Sequence, residues 1–155
     1  MGKIISQAEA AKIRKACRRK KQKVVFTNGC FDVIHRGHVE YLARAKKLGD
    51  ILIVALNTDS SVRRLKGRNR PIIKFADRAY IISHLDMVDY VTSFGALTPK
   101  AIIAGLLPDV LVKGGDYKAD EIVGAGDVRR AGGEVVVIPF VKGRSSTDII
   151  ASLTR

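Results

Sequence analysis

Thr27-Asn28-Gly29-Cys30-Phe31-Asp32-Val33-Ile34-His35-Arg36-Gly37-His38 is the stretch on which the fold turns. It follows a short β-branched run at residues 24–27 and leads into an amphipathic segment, residues 37–48. There Val39, Leu42 and Ala45 or Lys46 recur at helical spacing. A strand, a glycine-bearing loop and a helix in immediate succession open a βαβ unit.

Outward from this unit the same alternation continues. Further strands are predicted at residues 51–56, 90–93, 110–113 and 134–138, with helices at 75–85 and 99–107 between them. Thr98 followed by Pro99 reads as an N-cap and a first-turn proline. A helix over residues 7–20 precedes the first strand, and a short last helix is expected to start at Ser145 or Ser146. The pattern predicts an α/β fold, a Rossmann-like, doubly wound, parallel five-stranded sheet. Residues 1–155 are expected to form one domain, a basic N-terminal helix over 1–22 and a catalytic core over 23–155. Gly124-Ala125-Gly126 lacks the third glycine of a dinucleotide loop and reads as a turn.

Composition narrows the function classes. The longest apolar runs fall far short of the roughly 20 residues of a membrane helix, and no signal-like stretch opens the sequence, so a cytoplasmic protein without membrane partners is expected. Cys17 and Cys30 stand in unrelated contexts and predict no disulfide framework. The 28 Lys+Arg against 15 Asp+Glu give a net charge of +13, which favours polyanionic ligands. Much of that excess lies in Arg14, Lys15, Arg18, Arg19, Lys20, Lys21 and Lys23. Without aromatic residues for base stacking, the stretch reads as a solvated helix face, and no nucleic-acid partner is expected.

Open α/β sheets bind ligands beyond the carboxyl ends of their strands, which selects residues 27–38, 57–71, 113–117 and 142–147. Gly29 permits close backbone approach, and the helix start beyond it offers free N–H groups suited to phosphate. His35 and His38, three residues apart, share one face of the first helical turn, and Gly37 leaves space beside them. Transfer at phosphorus depends on alignment and on donors aimed at developing charge, and two imidazoles supply such donors. The alternatives for the pair are helix-start packing and a zinc site made with Cys30 and Asp32, whose spacing matches no common zinc module. His84, far from the loop, reads as structural.

The H-x-G-H signature at residues 35–38, preceded by Gly29-Cys30-Phe31-Asp32, resembles the nucleotidyltransferase superfamily of cytidylyltransferases, pantetheine-phosphate adenylyltransferases and class I aminoacyl-tRNA synthetases. Leu48-Gly49-Asp50, Leu65-Lys66-Gly67, Arg70-Pro71, Val112-Lys113-Gly114-Gly115-Asp116-Tyr117 and Ser145-Ser146-Thr147 then resemble D-glycero-β-D-manno-heptose 1-phosphate adenylyltransferases, over nearly the whole chain. The resemblance implies the H-x-G-H nucleotidyltransferase fold and transfer of AMP from ATP to heptose 1-phosphate. The products would be pyrophosphate and ADP-heptose for lipopolysaccharide or a related glycan, with Mg²⁺ on the triphosphate. Many members fuse this domain to a sugar kinase, so a separate kinase is expected to supply the substrate, and a homodimer is expected by likeness.

Carried over position by position, His35, His38 and Lys66 would be catalytic. Asn28, Gly29, Phe31, Asp32, Gly37, Lys113, Gly114, Asp116, Ser145, Ser146 and Thr147 would bind nucleotide, with Lys66 in a basic loop. Arg70 and Arg78 would bind substrate phosphate through forked contacts, against the alternative of salt bridges, and no residue is assigned to a metal. Ser145 with Asp148 also reads as a capping box. The superfamily's arginine after the serines is replaced by Ile150, leaving Arg144 or Lys142 as candidates for a second cationic clamp. The rival functions are a cytidylyltransferase using CTP and glycerol 3-phosphate or a similar polyol phosphate, and a basic RNA-binding module.

Overall fold

A computed structural model of the chain describes residues 1–139 and 146–153. Among these residues the sheet is wholly parallel and has six strands rather than the expected five, in the order β1-β4-β3-β2-β5-β6. The strands are β1 (Lys3–Ile4), β2 (Val24–Gly29), β3 (Ile51–Asn57), β4 (Tyr90–Phe94), β5 (Val110–Gly114) and β6 (Glu134–Ile138). The additional strand is β1, a two-residue edge on β4, too short and too exposed to carry an alternating pattern.

Seven α-helices accompany the described sheet: α1 (Gln7–Arg19), α2 (Arg36–Lys46), α3 (Asp59–Lys66), α4 (Phe75–Ser83), α5 (Lys100–Leu106), α6 (Ala125–Arg130) and α7 (Ser146–Leu153). Ser6 and Glu9 close a reciprocal capping box that starts α1. Ala10, Arg14 and Cys17 are buried, so the N-terminal helix packs into the core and turns its remaining basic residues outward. Phe26, Ile53 and Leu111 pack with α1, α5 and α6 on one face of the sheet. Val25, Val54 and Val112 pack with α2 and α4 on the other. This two-faced burial explains the nearly continuous apolar strands.

Three local expectations are revised. Residues 59–66 form α3 rather than a loop, because the Thr58 side chain accepts from the Ser61 amide and nucleates a turn, so Lys66 ends a helix. Helix α5 begins at Lys100 with Pro99 at the cap position, and no side chain of the cap bonds its first turn. Gly124 caps α6 at φ 84°, where an added Cβ would lie 2.6 Å from Ile103, so 124–126 is a helix start rather than a free turn.

Candidate active site

Strands β2 and β5 lie side by side at the middle of the sheet, where the chain reverses its direction of strand addition. Their pairing runs Val25 to Val110, Phe26 to Leu111 and Thr27 to Val112. Beyond that, β2 continues beside β3 to Gly29 and β5 beside β6 to Gly114. The two strands therefore part after Thr27 and Val112 and open a crevice at their carboxyl ends, the usual ligand position in such sheets. Asn28 on one wall and Lys113 with Gly114 on the other are half-buried at its lip. Burial pushes the Lys113 ammonium below its ordinary pKa, against the opposing influence of nearby Cys30.

The signature loop leaves the carboxyl end of β2 and carries both imidazoles into the start of α2. His35 is the extended cap residue of α2, and its carbonyl accepts from the His38 amide at 2.9 Å. The two rings stack with centroids 3.9 Å apart and 28° between planes, and the Phe31 ring lies 5.1 Å from that of His38. Phe31 adopts φ 47°, a backbone region that costs a bulky L residue about 1–3 kcal/mol and so requires support from its surroundings. Part of that support is Gly29: a Cβ there would lie 2.8 Å from the Phe31 ring. The glycine thus makes room for Phe31.

Burial, then His35 and then Lys66 lower the His38 pKa from 6.5 to about 4. The ring is therefore neutral near pH 7, a hydrogen-bond donor and acceptor rather than a cation. Its Nδ1 is buried and has no hydrogen-bond partner among the described residues. An NMR titration of the free protein is expected to place the His38 midpoint near 4. Because the folded value lies below the unfolded one, His38 contributes stability that is full above about pH 6.5 and is lost as pH falls through 4. A midpoint at or above 6.5 would contradict the burial described here.

Asp32, expected to touch nucleotide, is 1% exposed and faces inward. One carboxylate oxygen accepts from the Ile73 amide at 2.8 Å, and the other from the Ile72 amide at 3.0 Å and from Arg70 Nε. Burial raises its pKa, but the two amides and the Arg70 guanidinium outweigh burial and hold the carboxyl below the usual range. Asp32 thus ties the signature loop to the 70–73 segment.

Arg78, expected to bind substrate phosphate, is 0% exposed. Its guanidinium donates to the carbonyls of Ile73, Cys30 and Asn57 and to Asp59 Oδ1. Four of its five N–H donors are thus taken, and its complete burial leaves no face open to a phosphate. Arg70 differs, because its Nη2 has no hydrogen-bond partner among the described residues while Nε is held by Asp32.

The remaining assigned positions divide by location. Gly37 is half-buried in the first turn of α2, and Lys66 is exposed but near enough to lower the His38 pKa. Asp116 is exposed beyond β5. The Ser146 hydroxyl donates to the Val33 carbonyl at 3.1 Å and seats the start of α7 on the signature loop. Ser145, Arg144, Lys142 and the side chains of Thr147 and Asp148 lie outside the described residues. Cys30 Sγ contacts Asn57 Oδ1 at 3.8 Å, and with Asp32 turned away the suspected zinc set does not assemble. Among the described residues no group of three or more His, Cys, Asp or Glu is placed to hold a metal. His84 caps α4, its ring stacked on Tyr80.

Tyr41, absent from the expected site, sits one turn after His38, and its hydroxyl reaches Thr27 and Val112 at the base of the crevice. Its spacing from His38 and Leu42 on the inward stripe of α2 is the signal that could have found it.

Residues 26–152 match the cytidylyltransferase-like family. The chain is 49% identical over 152 residues to the bifunctional protein HldE of Citrobacter koseri and to that of Klebsiella pneumoniae, covering 98% of this chain and 32% of each relative. It spans about a third of the length of these relatives, 32%. The lipopolysaccharide core biosynthesis protein of Thermoplasma volcanium superposes with a TM-score of 0.64 at 30% identity, over 79% of this chain and 99% of that one. The pantoate-β-alanine ligase of Francisella tularensis, solved in complex with β-γ ATP and β-alanine, shares the fold alone, with a TM-score of 0.61 at 15% identity over 99% and 77% of the two chains. No described helix is long and apolar enough to cross a membrane. A crevice at the strand reversal, bordered by a paired-histidine helix start, and a family match over most of the sequence lead to one assignment: the chain belongs to the cytidylyltransferase-like family and is a nucleotidyltransferase.

Proposed function

We propose that the chain transfers AMP from ATP to D-glycero-β-D-manno-heptose 1-phosphate, releasing pyrophosphate and forming ADP-heptose for a lipopolysaccharide-type glycan. The observation that carries this is the stacked His35 and His38 pair, with the His38 ring neutral near pH 7, at the helix start that follows β2. The likeness to HldE and to the lipopolysaccharide core biosynthesis protein supports a sugar phosphate as acceptor.

The acceptor phosphate oxygen attacks the α-phosphorus of ATP, the α–β bridging bond breaks, and pyrophosphate leaves with the electron pair. The attacking group is already an anion, so no strong base is required. His38 donates a hydrogen bond to the phosphates as charge shifts toward the leaving group, and His35 orients it by stacking. Lys66 and the remaining edge of Arg70 offset repulsion between two anionic reactants. Asn28, Lys113, Gly114 and Asp116 border the nucleotide side, and Ser146 brings the start of α7 beside the triphosphate.

The carboxylates flanking the loop do not suit a resident metal: Asp32 is taken by two amides and Arg70, and Asp59 by Arg78. Mg²⁺ would enter as part of the nucleotide, held by triphosphate oxygens and water. A sugar kinase would supply the acceptor.

Pyrophosphate release, measured with ATP and CTP against heptose 1-phosphate and glycerol 3-phosphate, tests the assignment. Turnover is expected with ATP and heptose 1-phosphate. Preferential use of CTP with glycerol 3-phosphate would overturn it, as would RNA binding that survives His35→Ala in a protein turning over no nucleotide.

A further inference from the structure

We propose that Tyr41 is a positioning residue for nucleotidyl transfer: its hydroxyl bridges β2 and β5 where they part, and so fixes together the crevice floor and the helix that carries His38. The inference rests on the function proposed above and adds a residue to it.

The Tyr41 hydroxyl lies 2.6 Å from Thr27 Oγ1 and 3.3 Å from the Val112 carbonyl. A carbonyl can only accept, so the phenol proton goes to Val112 and the Thr27 hydroxyl donates in turn to the phenol oxygen. Burial raises the Tyr41 pKa to about 12, against the opposing Thr27 bond, so the phenol stays protonated across any working pH. Thr27 is 0% exposed. Water therefore does not replace this chain of bonds.

Thr27 and Val112 are the last paired residues of β2 and β5, and the next residues along, Asn28 and Lys113, form the two walls of the crevice. Tyr41 belongs to α2 and follows His38 by three residues, so both side chains leave the same face of that helix. One hydroxyl thus joins three elements that must keep register: β2, β5 and the helix that carries His38. Packing against apolar neighbours holds α2 to the sheet. It resists sliding along the strands less than a directed bond does. Displacements well under the length of a bond matter when a donor must meet a transferring phosphate.

Tyr41→Phe keeps the ring and removes only this link. Expected are a kcat per folded molecule lower by about tenfold and a nucleotide KM within about twofold of the parent. The folded fraction is taken from a thermal melt. The ring resonances and titration midpoint of His38 should also move in the free protein. A purely structural phenol would lower the melt alone, and an unchanged kcat per folded molecule or unmoved His38 resonances would overturn the proposal. Should Tyr41→Phe fail to fold, Thr27→Val removes the donor into the phenol while keeping its bond to Val112, and the same readouts decide. If the parent protein transfers no nucleotide at all, the proposed function fails, and the His38 resonances alone judge Tyr41.

Discussion

His38→Ala is expected to lower kcat by about two to three orders of magnitude, the usual effect of removing one donor aimed at developing charge. The KM for ATP should rise much less, because the uncharged imidazole adds little to ground-state attraction for a triphosphate whose main cationic contacts lie elsewhere. The stacked geometry sharpens this expectation. His35 lies 3.9 Å from His38, centroid to centroid, so alanine at 38 also removes the ring stacked on His35. His38→Asn, which keeps a neutral donor of similar reach, should recover part of the loss. Steady-state kinetics with the pyrophosphate assay check this, and an unchanged kcat would remove His38 from the chemistry.

Arg78→Met should destabilise the protein by about 3 kcal/mol, as expected when one partner of a buried charged network is removed. At 2–4 °C per kcal/mol for a chain of this size, its Tm would fall on the order of 10 °C. The guanidinium joins four segments: Cys30 of the signature loop, Asn57 at the end of β3, Asp59 at the start of α3, and Ile73. Its loss strands three carbonyls and a carboxylate near the sheet end. Differential scanning calorimetry tests this. A normal Tm with a raised KM for the sugar phosphate alone would return Arg78 to the substrate site.

These two residues show what a one-dimensional reading can and cannot reach. The histidines were legible because loop, glycine and spacing agree, and the main strands because Val25, Val54 and Val112 sit in uninterrupted apolar runs. Helix α3 was hidden, since its eight residues bury only Ser61 and Val62 and carry three basic side chains in the last turn. Arg78 looked like a phosphate ligand because residue type alone does not distinguish a buried strut from a substrate clamp. Its periodicity did distinguish them, for Arg78 shares the buried stripe of α4 with Ala79 and Ile82. The role of Asp32 required knowing that residues 72 and 73 fold back over it, a tertiary fact absent from local pattern.

The two-residue β1 has a consequence away from the chemistry. By pairing with Tyr90 and Val91 it occupies part of the outer side of β4, whose run Tyr90-Val91-Thr92-Ser93-Phe94 bears no charge and favours extended structure. The amide of Ile5 prolongs that cover by donating to the Val91 carbonyl. With Lys3 presented outward, the small cap acts as a stopper against edge-to-edge self-association.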